Sequence, residues 1–129
     1  MKFRDYQIEI IQKSVTVLEQ HHFCYLSMEV RTGKTLTALG VADRLGIKNL
    51  LFVTKKIAIG SIEADYKKLK PNYDLVVINY ESLHKVEGKF DFVVLDEAHT
   101  LGAYPKPSNR AKLVRDIISK QNPYVILMS

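Results

Sequence analysis

Short runs that are apolar throughout recur along this chain, each separated from the next by a stretch of different periodicity: "FCYLSM", "NLLFVT", "DLVVINY", "FDFVVLD" and "PYVILMS". A strand with one wet face alternates apolar and polar residues, whereas an unbroken apolar run belongs to a strand covered on both sides. Parallel strands need long crossovers, and the intervening segments have the length and pattern of helices. The expectation is an α/β fold in three layers, α/β/α, around a mainly parallel sheet, with residues 1–129 forming one domain. In such sheets ligands gather at the carboxyl ends of strands, so the residues that follow each run become the candidates for chemistry.

The helices can be placed from their stripes. "RDYQIEIIQKSVTVLEQ" puts Ile8, Ile11, Val15 and Leu18 on one face, with a cap expected near Asp5. A second helix is expected from about Lys34 to Leu45, closed by Gly46. A third carries Ala58, Ile62, Tyr66 and Leu69 and ends before Pro71, and a fourth, capped by Ser108 or Asn109, carries Leu113, Val114, Ile117 and Ile118. No internal repeat, low-complexity tract or linker interrupts the series.

Composition narrows the setting. An apolar share of 47% with 26% charged residues suits one packed core. No stretch approaches the roughly 18 to 20 apolar residues of a membrane span, and "MKFRDYQIEI" carries acidic residues where a signal peptide would be apolar. A cytoplasmic protein with no membrane partner is expected. Nineteen Lys and Arg against 14 Asp and Glu leave +5, a balance that suits an anionic partner without identifying it. The single Cys24, inside an apolar run, is expected to be a buried structural thiol. His21, His22, His84 and His99 show no metal-ligand spacing, and "HHFC" is expected to be a turn from helix to strand.

Chemistry concentrates at two strand ends. In "SMEVRTGKTLTAL", Gly33, Lys34 and Thr35 follow a strand and a short loop and open a helix. That arrangement supplies inward-pointing backbone N–H groups, a helix N-terminus and a cation, which together cradle phosphate. Lys34 would reach the β and γ phosphates and the Thr35 hydroxyl would ligate Mg²⁺, although Met28 stands where the usual loop has its first glycine. Downstream, "FDFVVLDEAH" delivers Asp96 and Glu97 to the same edge of the sheet. One carboxylate can hold the metal while its neighbour orients and deprotonates an attacking water, the division of labour that phosphoanhydride hydrolysis requires.

These residues resemble the superfamily 2 helicases and translocases, and within them the SNF2-like DNA-dependent ATPases. The resemblance covers essentially the whole chain and implies the first of two RecA-like P-loop domains, with ATP and Mg²⁺ as cofactors. "FRDYQ" is similar to the motif ahead of the first helix, which implies that Gln7 bonds the adenine edge while Tyr6 or Arg4 helps hold the base. "MEVRTGKT" resembles the SNF2 nucleotide loop, which also lacks the first glycine; there Thr32, Gly33, Lys34 and Thr35 fall on the cofactor site. "LDEAH" resembles the Asp-Glu-Ala-His box, which implies Lys34, Asp96 and Glu97 as the catalytic set, with Thr35 and Asp96 at the metal.

"FVTKK" and "INYESL" stand where the family holds the backbone of a nucleic-acid strand, which implies contacts from Thr54, Lys55, Lys56, Tyr80 and Ser82. His99 and Ser129, the latter in "YVILMS" at the start of a later motif, are implied to couple the two ligands. The implied partners are nucleic acid, expected to be double-stranded DNA, and a second RecA-like domain of the parent chain.

The chain also departs from the pattern. The second domain of the family supplies transition-state arginines worth about 10³ to 10⁵ in rate, and Arg110 and Arg115 match no such motif. Slow hydrolysis is therefore expected of these residues alone. Arg31 stands where SNF2 loops have glycine, which implies either strain of about 1 kcal/mol or a contact to phosphate or DNA. "GAYPKPSNR" replaces the Lys-Asn pair that often follows the SNF2 box, so a bacterial or viral member is expected rather than a chromatin remodeller. Two other functions remain open: a nucleotide-gated module that binds DNA or protein without turnover, and a small-molecule kinase, which would need a lid that nothing after Asp96 resembles.

Overall fold

The computed structural model describes residues 3–27, 33–97 and 109–128, and for residues 109–111 it describes the backbone alone. Five strands form one sheet: β1 (Phe23–Leu26), β2 (Asn49–Thr54), β3 (Asp74–Asn79), β4 (Phe92–Leu95) and β5 (Tyr124–Met128). Their spatial order is β1-β5-β4-β2-β3, and every pairing is parallel. The α/β expectation holds, and "mainly parallel" sharpens to wholly parallel among the described strands.

Four helices accompany the strands: α1 (Asp5–His21) precedes β1, while α2 (Lys34–Leu45), α3 (Ile59–Leu69) and α4 (Asn109–Gln121) lie in crossovers between strands. Side chains alternate across the sheet and so divide the core in two. Leu50, Phe52, Phe92, Val94, Ile126 and Met128 pack with Ile11 and Leu18 of α1, Leu39 and Val41 of α2 and Ile62 of α3. Leu51, Val53, Val93, Leu95 and Val125 pack on the opposite side with Val114 of α4 and with Tyr80 and Leu83 of a 3₁₀ segment, Tyr80–Lys85. These are the three layers. On the first side α1 and α2 come close at Gly40, where a Cβ would lie 2.7 Å from the Phe3 ring.

One local expectation is sharpened and two need correction. Asp5 is the first helical residue and Arg4 occupies the cap position, where the Gln7 side-chain oxygen Oε1 accepts the Arg4 N–H at 2.9 Å. "FCYLSM" and "DLVVINY" are not buried throughout, because β1 and β3 are the two edges of the sheet. On β1, Cys24 and Leu26 are buried while Phe23 and Tyr25 are exposed; on β3, Val76 is exposed. A run of apolar residues cannot by itself tell an edge from a centre, since strand order is set by contacts distant in sequence.

The helix-to-strand turn at "HHFC" is as expected. His22 takes a left-handed conformation after α1, bonds its N–H to the Leu18 carbonyl, and stacks on Tyr124 of β5. Cys24 is buried, and that burial pushes its thiol pKa up. Among the described residues no group of three or more His, Cys, Asp or Glu side chains could hold a metal ion, and no helix is long and apolar enough to cross a membrane.

Candidate nucleotide and nucleic-acid site

Because all the strands are parallel, every segment that leaves a strand toward the carboxyl edge meets the others there. Gly33 caps α2 in the left-handed region, at φ 73°. Its carbonyl accepts both the N–H and the hydroxyl of Thr37, at 3.0 and 2.9 Å. A Cβ on Gly33 would lie 2.4 Å from the Gln7 amide nitrogen, so glycine is favoured by the backbone conformation and lets the Gln7 side chain sit close. The Gln7 amide, buried, donates to the Gly33 carbonyl at 3.4 Å, which joins the start of α1 to the start of α2. Arg4 and Tyr6 are exposed beside it.

Asp96 stands one residue past β4, and its N–H continues the ladder to the Val53 carbonyl at 2.8 Å. One carboxylate oxygen accepts the Thr54 hydroxyl at 2.8 Å, and the other lies 3.2 Å from the Lys34 ammonium. The Glu97 N–H adds a third contact to Asp96, at 3.0 Å. Both ends of the Lys34–Asp96 pair are largely shielded, with side chains 13% and 9% exposed, so the attraction is screened less than at an open surface. The Tyr80 hydroxyl donates to the Asp96 carbonyl at 2.6 Å. Asp96 is thus held from three strands, at the ends of β2, β3 and β4.

Glu97 has a positive φ of 54°, uncommon for a residue with a side chain and a sign of local strain. Its carboxylate meets the Lys55 ammonium at 2.7 Å.

Two cavities open on this edge. One, of about 310 Å³, is lined by Gly33, Lys34, Thr35, Asp96 and Glu97 and closed by Ala58, Ser61, Ile62 and Asp65 of the segment between β2 and β3. The second, of about 650 Å³, is lined by Lys55, Lys56, Asn79, Tyr80, Glu81, Ser82 and Glu97. Among the described residues Glu97 alone is common to both walls.

The sequence-derived residues therefore fall into three groups. Gly33, Lys34, Thr35, Asp96 and Glu97 meet in one cavity, with Gln7 behind the loop. Lys55, Lys56 and Ser82 line the other. Thr54 and Tyr80 are buried, at 0% and 4% exposure, and their hydroxyls face Asp96 rather than solvent. Thr32, His99 and Ser129, together with Met28 and Arg31, lie outside the described residues.

Asp65 and Ser61 of α3 were not anticipated. Burial raises the Asp65 pKa above its ordinary value, and nearby Lys68 opposes the rise. The available signal was an acidic residue lying between Ile62 and Leu69 on the apolar stripe of a helix.

The donors present fit a magnesium nucleotide. Mg²⁺ keeps most of its waters and takes one or two protein oxygens, which the Thr35 hydroxyl and the Asp96 carboxylate can supply. Lys34 and the helix N-terminus at Gly33 supply the positive side of a phosphate cradle.

Comparisons with known proteins bear on the family and the fold. A family profile described as "Type III restriction enzyme, res subunit" matches residues 1–76. "Putative helicase 109L" of Invertebrate iridescent virus 3 is 30% identical to this chain, over 74% of the chain and 37% of that relative. The chain thus spans just over a third of the curated relative it matches. Two solved structures share the fold across the full chain. One is a nuclease-deletion mutant of the Type ISP restriction-modification enzyme LlaGI in complex with a DNA substrate mimic, with a TM-score of 0.69 at 16% identity over 17% of that chain. The other is the ATP-dependent Type ISP restriction-modification enzyme LlaBIII bound to DNA, with a TM-score of 0.67 at 18% identity over 13% of that chain. At these identities the likeness is one of fold, and the three-layer parallel sheet is RecA-like.

Proposed function

Because the chain belongs to the family of the Type III restriction enzyme res subunit, we propose that it is the ATP-binding first motor domain of a DNA-dependent ATPase of SNF2-like type, acting on double-stranded DNA. The observation that carries this reading is the Lys34–Asp96 ion pair, at 3.2 Å, across a cavity that also holds Gly33, Thr35 and Glu97. Lys34 and Asp96 are each other's counter-ion here. Each is also matched to part of a magnesium nucleotide, the ammonium to phosphate and the carboxylate to the metal.

When bound, Mg²⁺ supplies charge neutralisation on the phosphates. The chain does the rest. The Gly33 turn and the α2 N-terminus hold phosphate oxygens, Lys34 offsets their charge, and Thr35 and Asp96 fix the metal. Thr54 and Tyr80 hold Asp96 in place. Glu97 accepts the proton of the attacking water. Gln7, Tyr6 and Arg4 hold the base end, and Thr32 adds to the loop. His99 and Ser129 couple this site to the DNA, which Lys55, Lys56 and Ser82 hold through its backbone. Transition-state arginine comes from a second RecA-like domain of the parent protein. The DNA-bound solved structures support DNA as the polymer.

The test is ATP hydrolysis by the full-length parent protein with and without double-stranded DNA. DNA is expected to raise the rate, and Glu97→Gln to remove hydrolysis while leaving nucleotide binding intact. A rate indifferent to DNA, or an unchanged rate in Glu97→Gln, overturns the proposal in favour of a binding module without turnover.

A further inference from the structure

We propose that the Lys55–Glu97 ion pair is a latch through which DNA controls hydrolysis: Lys55 holds the Glu97 carboxylate until a DNA backbone phosphate takes Lys55 away. The inference rests on the reading of Glu97 as the proton acceptor and goes beyond it by naming what restrains that group.

Three observations carry it. First, the pair is close, at 2.7 Å, and unequal in exposure: the Lys55 side chain is 58% exposed and that of Glu97 25%. The cation can be reached from solvent while the carboxylate sits deeper. Second, Glu97 belongs to the walls of both cavities, while Lys55 belongs only to the larger. The ion pair lies where the two spaces meet. A phosphate entering beside Lys55, Lys56 and Ser82 arrives on the Lys55 side of the pair, where it competes with Glu97 for the same ammonium. Third, Asp96 is fixed from several directions by Thr54, Tyr80 and Lys34, and Glu97 follows it at a left-handed backbone position. The backbone leading into Glu97 is held, and its carboxylate, at the end of a side chain, is the part able to change partners.

The chemistry follows from charge. A carboxylate engaged by an ammonium presents less of its lone-pair capacity to an attacking water. Glu97 lies in both walls, and while Lys55 is bound its carboxylate is engaged on the side of the larger cavity. Exchange of Glu97 for phosphate on Lys55 removes that engagement. Linkage is reciprocal: if DNA releases Glu97, then Glu97 must weaken DNA binding by the same free energy.

That reciprocity gives a test needing no hydrolysis. In the full-length protein without nucleotide, affinity for a double-stranded oligonucleotide is measured by fluorescence anisotropy for wild type, Glu97→Gln, Lys55→Gln and the double variant. Removing the Glu97 charge is expected to tighten binding about two- to fivefold, the range for a partly exposed ion pair. With Lys55→Gln already present, the same change is expected to have no effect. In parallel, Lys55→Gln is expected to raise DNA-free hydrolysis and shrink the stimulation by DNA.

Unchanged affinity in Glu97→Gln, or equal tightening with and without Lys55, overturns the latch while leaving the ATPase reading in place. Absence of DNA binding in wild type and every variant overturns the proposed function, and the latch with it. Circular dichroism of each variant separates these outcomes from loss of fold.

Discussion

The strand β4 carries an aspartate at each end, and the two are put to opposite uses. Asp91, just before the strand, accepts the backbone N–H groups of Lys48 and Asn49, both at 2.8 Å. Its own backbone bonds to Asn49 and Tyr124, which ties the amino ends of β2, β4 and β5 together. Asp96, just after the strand, spends its oxygens on the Thr54 hydroxyl and the Lys34 ammonium. The residue type is the same and the strand is the same. The difference is that Asp91 holds backbone donors, which cannot leave without unfolding the edge, whereas Lys34 is a flexible side chain that can exchange its partner for a ligand. An aspartate is structural or functional here according to whether its partners can move.

This contrast can be broken most forcefully at Asp96. Asp96→Asn removes the charge that faces both Lys34 and the metal, and loss of several kcal/mol of charge stabilisation predicts a fall in ATP hydrolysis of roughly 10³-fold or more in the full-length protein. Some stability is expected to be lost as well, since an amide that keeps its oxygen for Thr54 turns its NH2 group toward the shielded Lys34 ammonium. Asp91→Ala is the reverse experiment. It leaves two N–H groups at the amino edge without their charged acceptor and is expected to cost about 2 kcal/mol of stability by denaturant titration, because water replaces part of what is lost. Nucleotide affinity should stay unchanged in that variant. A loss of nucleotide binding in Asp91→Ala, or a loss of stability alone in Asp96→Asn, would erase the distinction between the edges.

A smaller effect is expected at the loop. Gly33→Ala combines a positive φ with a Cβ placed 2.4 Å from the Gln7 amide. Gln7 is the flexible partner and can swing away, so the cost is expected at about 1–2 kcal/mol rather than as failure to fold. Swinging away breaks the Gln7–Gly33 hydrogen bond, and nucleotide affinity should fall with stability. Isothermal titration together with thermal melting measures both.

Much of this was legible in the residues. The five apolar runs and four stripes gave the layers, because periodicity is local and the parallel sheet follows from the need for crossovers. Gly33, Lys34, Thr35, Asp96 and Glu97 could be assigned to one edge because parallel strands all point their carboxyl ends the same way. What stayed hidden depends on contacts distant in sequence. Thr54 and Tyr80 stand beside basic or exposed neighbours, and only the placing of β2 beside β4, with β3 on the far side of β2, turns their hydroxyls onto Asp96. The Lys55–Glu97 pair joins residues forty-two apart in number, as does Thr54 with Asp96. The edge positions of β1 and β3 were hidden for the same reason. Asp65 went unnoticed because an acidic residue on a helix is ordinarily solvated, and its place beside the phosphate cavity depends on how α3 packs.

Asp65 also sharpens the contrast, as a third carboxylate whose surroundings favour neither use. It has neither the backbone donors of Asp91 nor the close ammonium of Asp96. Burial raises its pKa, and Lys68 only partly offsets that. The sign follows: a carboxyl group whose folded pKa lies above its unfolded value favours the fold while protonated, and that contribution is lost as pH rises through the folded value. Nucleotide phosphates entering the shared cavity add negative charge beside Asp65, so binding favours its protonated form as well. Affinity for ADP without metal should therefore weaken as pH climbs from the ordinary carboxylate range through the raised pKa of Asp65. The expected change is about two- to threefold, because the group is partly exposed and its charge is screened. Nucleotide phosphates titrate too, which makes the useful quantity the difference between wild type and Asp65→Asn at each pH. Asp65→Asn is expected to bind more tightly above that range and equally below it. Parallel curves with no divergence would mean that Asp65 lines the cavity without feeling what enters it.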